Sequence, residues 1–500
     1  MAQPTQLQRR LASLEAHLAQ ENPILLRAVK SFRDLDGVAR RLGFFNQEES
    51  YATRVPWWPL IAILGTYSAG KSTFLNAYLG YRLQLTGNQA VDDKFTVVCF
   101  SNEDGVRVLP GLALDADPRF PFYQISRAIE ETAPGEGRRV DAYLQLKTCP
   151  SEGVRAKILI DSPGFDADAQ RTSTLRITNH IVDLADLVLV FFDARHPESG
   201  TMQDTLEHLV AQTIVRPDSS KFLYILNQID ATAKEDNPED VVASWQRALA
   251  QAGLTAGRFY RIYDREASIP IEEEALRARF EAKRDEDIAE IYARMQQVEV
   301  DRAYRIVAIL EQTVHDITDK IVPKLQTMLE QWRRRILWSD GIFFGAILAG
   351  VLIWTLATGE WLGVSFTHPF WSALLSDPVW SLIVLGAAIV VGGYAHLLIR
   401  KFAAKSVIMK LRRETSDIRE QDFLENFIAA FRKNTSIWHS VLRKRPVGWG
   451  KRAQQRLKDV LIDANRYVQD LNDKFTNPSG KGVPIAKPAD EAALPEKVNA

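Results

Sequence analysis

The sequence predicts a mostly parallel α/β sheet domain with helices on both faces, joined to a helical bundle or stalk and to a hairpin of two long apolar helices. Three observations carry this. Between Trp57 and about Tyr263, short β-branched runs alternate with helix-like stretches, the pattern of a sheet whose crossovers are helical. On either side, apolar residues recur every three or four positions among charged ones, as on amphipathic helices that pack together. Finally, 341–358 and 379–399 hold no Lys, Arg, Asp or Glu; each is about 27 to 31 Å long as a helix, close to the hydrocarbon thickness of a bilayer.

A chain of 500 residues suggests about two to four domains. Its net charge of -1 gives no global basic field, so nucleic acid is not expected as a partner. Residues 1–56 read as two amphipathic helices broken near Asn22-Pro23, with Leu7, Leu11, Leu14 and Leu18 on one face of the first. The opening "MAQPTQLQRRLASLEAHLAQ" lacks the apolar core of a secretory signal. Cys99 and Cys149 lie in strand-like stretches; a disulfide is one reading, two buried thiols in a reducing compartment the better one.

Residues 57–270 form the sheet domain, with strand runs "PLIAIL", "FTVVCF", "AKILID", "LVLVFFDA", "KFLYILNQ" and "RFYRIY". The stalk segment 271–335 carries Val307, Leu310, Val314, Ile317 and Ile321 as a packing seam, and Pro323 is expected to kink or interrupt it. The hairpin occupies 336–400. Helices of 401–476 present Leu424, Phe427, Ile428 and Phe431 on one face and Leu457, Leu461, Ala464, Val468 and Leu471 on another. The Pro-, Gly- and Lys-rich tail 477–500 is expected to be disordered.

The chemistry is concentrated in three motifs of the sheet domain. Gly65-Thr66-Tyr67-Ser68-Ala69-Gly70-Lys71-Ser72 matches G-x-x-x-x-G-K-[ST] in full, between the strand "LIAIL" and the helix-like "STFLNAYLG". Glycines let backbone N–H groups converge on phosphate at a helix N-terminus. Lys71 is placed to reach the β- and γ-phosphates and Ser72 to coordinate Mg²⁺, with Thr73 following on the helix. In "AKILIDSPGFD", Asp161 closes an apolar strand, where it can hold Mg²⁺ through water, and the Gly164 N–H can reach a γ-phosphate. In "LYILNQID", Asp230 can accept two hydrogen bonds from guanine while Asn227 braces the loops; an ordinary polar cluster at a strand end is the alternative.

In this order, "GTYSAGKSTFLNAYLG", "DSPGFD", "ADLVLVFFDARHPESG" and "YILNQID" resemble the dynamin superfamily, with the likeness greatest to its EHD-type branch. The resemblance is specific over roughly 57–235. Helices flanking the sheet domain and a paired membrane segment look like the architecture of bacterial dynamin-like proteins and mitofusins. It implies an α/β P-loop GTPase domain that hydrolyses GTP with Mg²⁺, with a phosphate loop running from Gly65 through Thr73. Ser68 matches the serine that dynamins place beside the bridging phosphate oxygen, and Tyr67 replaces their water-orienting glutamine, as in the EHD-type branch. Gln228 stands where GTPases usually have the lysine of N-K-x-D. The EHD-type switch P-T-T-D-x-F corresponds to "AVDDKF", which lacks both threonines; Thr96 after it or Thr86 before it are the substitutes. Thr96 is thus the expected catalytic and metal-side partner of Lys71 and Ser68, with hydrolysis slow or dependent on assembly. Because EHD-type proteins bind ATP, adenine stays open as the base.

The apolar segments read as a transmembrane hairpin instead of a buried helix pair in a water-soluble core. Trp354, Trp361, Trp371 and Trp380 gather near the expected interfaces. Arg333, Arg334 and Arg335 precede the first span; Arg400, Lys401, Lys405, Lys410, Arg412 and Arg413 follow the second; the connecting loop has no Lys or Arg. By the positive-inside rule both termini are cytoplasmic, which means the inner or plasma membrane in a bacterium. His368 in the loop reads as structural. The expected partners are an anionic lipid surface and further copies of the chain, paired through the sheet domains and the stalk. Two functions compete: membrane remodelling, tethering or fusion driven by GTP, and a membrane-bound nucleotide switch or scaffold that does not move lipid.

Overall fold

The computed structural model of the chain describes residues 5–66, 68–84, 94–115, 117, 120–122, 125–132, 135–164, 171–195, 219–234, 238–254, 257–358, 361–362, 365–366, 377–414 and 418–475. Two helices come first, α1 (Gln6–Glu21) and α2 (Pro23–Leu42). Thr5 and Gln8 close α1 reciprocally: Thr5 Oγ1 accepts from the Gln8 N–H at 3.3 Å and Gln8 Oε1 from the Thr5 N–H at 3.0 Å. Asn22 Oδ1 accepts from the N–H groups of Ile24 and Leu25, and Pro23 takes the first helical position, where a missing N–H is tolerated. The break foreseen at Asn22-Pro23 is therefore a single residue.

Eight strands build one sheet: β1 (Leu60–Gly65), β2 (Phe95–Phe100), β3 (Arg107–Pro110), β4 (Leu144–Cys149), β5 (Ile158–Asp161), β6 (Leu187–Asp193), β7 (Phe222–Asn227) and β8 (Arg258–Arg261). Their order is β3-β4-β2-β5-β1-β6-β7-β8. Only β2 against β5 and β3 against β4 run antiparallel, so the sheet is mostly parallel. The six runs read from the sequence all form strands; β3 and β4 were not among them. β3 is an exposed edge of four residues, too short to carry a strand signal. Cys149 is buried and Cys99 only half-buried, and neither is in a disulfide.

Alternation along β1 sets the layers. Leu60, Ala62 and Leu64 share a core with Ile177 and Ile181 of α4 (Arg171–Leu184) and with Trp245 and Leu249 of α5 (Pro238–Gln251). Ile61 and Ile63 face the other way, onto Phe74 and Leu75 of α3 (Lys71–Leu79) and Ile291, Met295 and Val298 of α6 (Glu274–His315). Helices thus cover both faces, and α6 belongs to the sheet domain along its first half.

Its second half enters a separate helical core with α1, α2, the start of α7 (Val322–Ala357), the end of α8 (Pro378–Glu414), α9 (Ile418–Asn434) and α10 (Lys451–Phe475). Phe32, Leu310, Leu325, Phe431 and Leu471 are fully buried there. The seam residues Val307 to Ile321 all face this core. Trp57, where the sequence reading starts the sheet domain, also lies in it, edge-on to Phe32.

Pro323 neither ends nor breaks the rod. A π-helical turn, Asp316–Ile321, precedes it, with the Val322 N–H bonded to Ile317 O, five residues back. The wider turn relieves the clash a proline ring makes with the carbonyl four residues before it. Glu274–Ala357 is consequently one continuous helix of 84 residues.

Among the described residues, the distal part of α7 and the first part of α8 are long and apolar enough to cross a membrane. They are not buried: Ile342 is 67% exposed, Leu348 72% and Val390 70%. Among the described residues they are therefore not sunk in a core of this chain. Thr86, Ala90, Val91, Asp92 and Asp93, His368, Trp371 and the tail fall outside the described residues.

One buried ion cluster joins the sheet domain to the rod. Asp186, just before β6, accepts from the Leu60 N–H at 2.9 Å, from Arg302 Nη2 at 2.6 Å and from Arg305 Nη1 at 2.5 Å. Its side chain is 1% exposed. Beside it, Lys157 pairs with Glu299 at 2.7 Å, and Trp58 Nε1 donates to Glu21 at 2.8 Å.

Candidate functional site

The turn after β1 is held by close packing and by the loop after β7. At Gly65, with φ of 153°, a Cβ would lie 2.3 Å from Phe191 O. At Gly70, in the left-handed region at φ 79°, it would lie 2.2 Å from Asn227 Nδ2. Both positions therefore require glycine. Ser68 also has a positive φ, 57°, and its carbonyl is bonded from outside the loop. That carbonyl accepts from Gln228 Nε2 at 2.5 Å, and Asn227 Nδ2 donates to Ala69 O at 2.9 Å. The "NQID" segment thus clasps the phosphate-loop backbone at two successive carbonyls. Gln228, itself at φ 63°, points its amide at the loop. Tyr67 lies outside the described residues.

Lys71 opens α3 and is buried; its Nζ donates to Gly65 O at 3.1 Å and Thr66 O at 2.9 Å. Burial pushes its ammonium down to about 8, with nearby Asp161 opposing the shift. Ser72 Oγ donates to Asp161 Oδ2 at 3.0 Å, and Gln84 Nε2 donates to the same oxygen at 3.0 Å. Lys147 Nζ reaches Gln84 Oε1. Strand β5 thus carries Asp161 to the N-terminus of α3, and a chain from β4 through Gln84 orients it. Thr73 follows Ser72 on α3, half-buried, and Gly164 is the last described residue of the Asp161 turn.

Thr96 sits inside β2, directly opposite Asp161 in the antiparallel pairing with β5. It is fully buried, and its hydroxyl accepts from Gln145 Nε2 at 2.7 Å. This places it beside the Asp161 cluster but in the sheet, where a moving switch threonine would not be. Asp230 is buried and its Oδ2 accepts from the Ile269 N–H at 2.8 Å. Burial pushes its carboxyl upward, against the backbone donors around it and Arg195.

Gln84, Gln145 and Lys147 could not be found from a motif, because they act through Asp161 and Thr96 from other elements. Arg195 was also missed. It forks onto Asp193 at the end of β6, at 2.7 Å, and its Nη2 lies 3.4 Å from Ser68 O. A charged pair immediately beyond an apolar strand, "FFDAR", is the signal that was available.

Ser72 and Asp161 offer one hydroxyl and one carboxylate within hydrogen-bond distance. Such hard oxygen donors, few in number, suit Mg²⁺, which keeps most of its waters and takes phosphate oxygens. No cluster of three or more carboxylate, His or Cys ligands occurs among the described residues.

Residues 61–229 match the family model described as "Dynamin family". Over that stretch the chain is similar to the dynamin family. EH domain-containing protein 3 of Rattus norvegicus is 28% identical over an alignment of 149 residues that covers 27% of this chain and 25% of that protein. EH domain-containing protein 1 of Bos taurus matches with the same figures. The chain therefore spans about a quarter of the length of the curated relatives it matches. A solved structure described as an oligomerised bacterial dynamin pair, with a mechanism for the long range sensing and tethering of membranes, aligns over 93% of this chain and 81% of its own. Its identity is 13% and its TM-score 0.35, too low to establish a shared global shape.

Proposed function

We propose that this chain is a dynamin-like, membrane-anchored GTPase whose nucleotide cycle tethers or remodels the bilayer that holds its apolar hairpin. The observation that carries the reading is the single 84-residue helix. It packs on the sheet behind the phosphate loop at Ile291 and Met295 and ends in the exposed apolar hairpin. In this reading Gly65, Ser68, Ala69, Gly70, Lys71 and Ser72 hold the phosphates, Ser72 and Asp161 hold Mg²⁺, and Asp230 reads guanine. Mg²⁺ would supply charge neutralisation between the β- and γ-phosphates. Pairing of sheet domains between copies would then move opposed membranes through the rods.

The test is reconstitution of the full chain in liposomes, with light scattering and lipid mixing followed on adding GTP. Aggregation or mixing that requires GTP and grows more than linearly with protein density is expected. Turnover that is flat with density, with no change in the liposomes, would support the membrane-bound switch instead. The strand-held Thr96 is the one feature that favours that second reading.

Lys71 gives a pH prediction. A triphosphate against its Nζ stabilises the ammonium form, so above about pH 8 the complex holds more protons than the free protein. Affinity is expected to fall as pH rises through that value. Calorimetry just above it, in two buffers of different ionisation enthalpy, should show proton uptake with GTP. The same titrations with ATP measure the choice of base. Heats independent of buffer would remove Lys71 from phosphate contact.

A further inference from the structure

We infer that the foot of the second apolar helix carries a binding site for an anionic glycerophospholipid of the leaflet nearest the sheet domain. The inference rests on the membrane reading above and adds a defined lipid site to it. Between α8 and the chain leaving α9 lies a groove of about 560 Å³, within the usual size of small-molecule sites. Leu398, Ile408 and Ile437 supply apolar wall, and Lys401, Lys405 and Arg432 supply cations at the rim. No Asp or Glu lines it, and among the described residues none of these three cations has a carboxylate partner. Neighbouring cations do: Lys410 pairs with Glu414 at 3.5 Å, and Arg412, also on the rim, with Glu425 at 3.0 Å.

The groove is also fixed in depth. Arg400, the first residue beyond 379–399, is buried and stacks over Trp332, 5.4 Å from the ring centroid. Its Nη2 donates to Ser436 O at 3.0 Å and His439 O at 2.9 Å. The loop after α9 is thereby pinned where the apolar span ends and headgroups begin. On that loop Ile437 is 61% exposed, Trp438 92% and Leu442 72%, and Arg443, Lys444 and Arg445 follow. An indole flanked by apolar and basic residues is what the membrane interface selects.

Three like charges around one groove, with no carboxylate partner among the described residues, favour an anion placed among them. A phosphodiester satisfies them. The apolar wall continues into the exposed apolar face of α8, which reads the attached acyl chains. A soluble phosphate would use the rim alone, so both halves of the groove together select a lipid.

The test uses the full chain in mild detergent, with native mass spectrometry after addition of phosphatidylglycerol, phosphatidylcholine or glycerol phosphate. Retention of phosphatidylglycerol over phosphatidylcholine is expected, with no displacement by glycerol phosphate. Lys401→Ala/Lys405→Ala/Arg432→Ala should bind the anionic lipid about a hundredfold more weakly, roughly fivefold per cation removed, with nucleotide turnover unchanged. Equal retention by this variant, equal retention of phosphatidylcholine, or displacement by glycerol phosphate would each overturn the site. A carbonate wash of liposomes separates the two levels: protein that stays embedded but shows no selectivity refutes only the groove, whereas protein washed off refutes the anchor beneath it.

Discussion

Lys71→Ala is expected to lower nucleotide turnover about a hundredfold to a thousandfold, the usual cost of removing one preorganised donor from developing charge. The Lys71 ammonium is already desolvated and held over the carbonyls of Gly65 and Thr66, so it needs little reorganisation to meet a phosphate. Folding should survive, because the change removes a buried cation whose charge burial already disfavours. The measurement is steady-state turnover beside a thermal melt. A stable variant that hydrolyses at the normal rate would show that the phosphate loop is not the catalytic site.

Asp186→Ala is expected to cost about 3 to 5 kcal/mol, the range for breaking one side of a buried ion pair. Burial holds the Arg302 guanidinium below its ordinary value, and the neighbouring Asp186 charge is what opposes that. Removing the carboxylate strands Arg302 and frees the Leu60 N–H at the start of β1. Adding Arg302→Met to Asp186→Ala should recover much of the loss, since an apolar side chain in place of the stranded charge avoids its desolvation. Denaturant unfolding of the two single variants and the double one measures the coupling. Strictly additive effects would mean that the cluster does not bind the sheet domain to the rod. If it does, Asp186→Ala should also uncouple GTP turnover from liposome tethering while leaving turnover itself near normal.

Much of this architecture was legible because it is written in short range. The phosphate loop, the helix break at Asn22-Pro23 and the six apolar strand runs are each local patterns. The strand faces followed as well, since β1 is apolar on both sides and must be covered on both. What escaped depends on distance. Asp186 finds Arg302 at a separation of 116 positions, and nothing near either residue names the other. Gln84 and Lys147 are ordinary polar residues until Asp161 is folded beside them. Pro323 was read as a kink because a proline in a regular α-helix clashes; the π turn removes that clash by placing one extra residue just upstream. Thr96 was chosen for its position after a switch-like segment, yet its strand pairing with Asp161 decides where it sits.

That extra residue has a mechanical meaning. The helix containing it is about 125 Å long from Glu274 to the far end of the first apolar stretch, about 80 Å of it beyond the seam at Asp186. A shaft of this kind transmits torque. If the π turn reverts to ordinary α geometry by one residue of slippage, everything distal to it swivels by about 100° and advances about 1.5 Å. A small rearrangement next to Asp316 would then be delivered, undiminished, as a rotation of the exposed apolar screw at its far end.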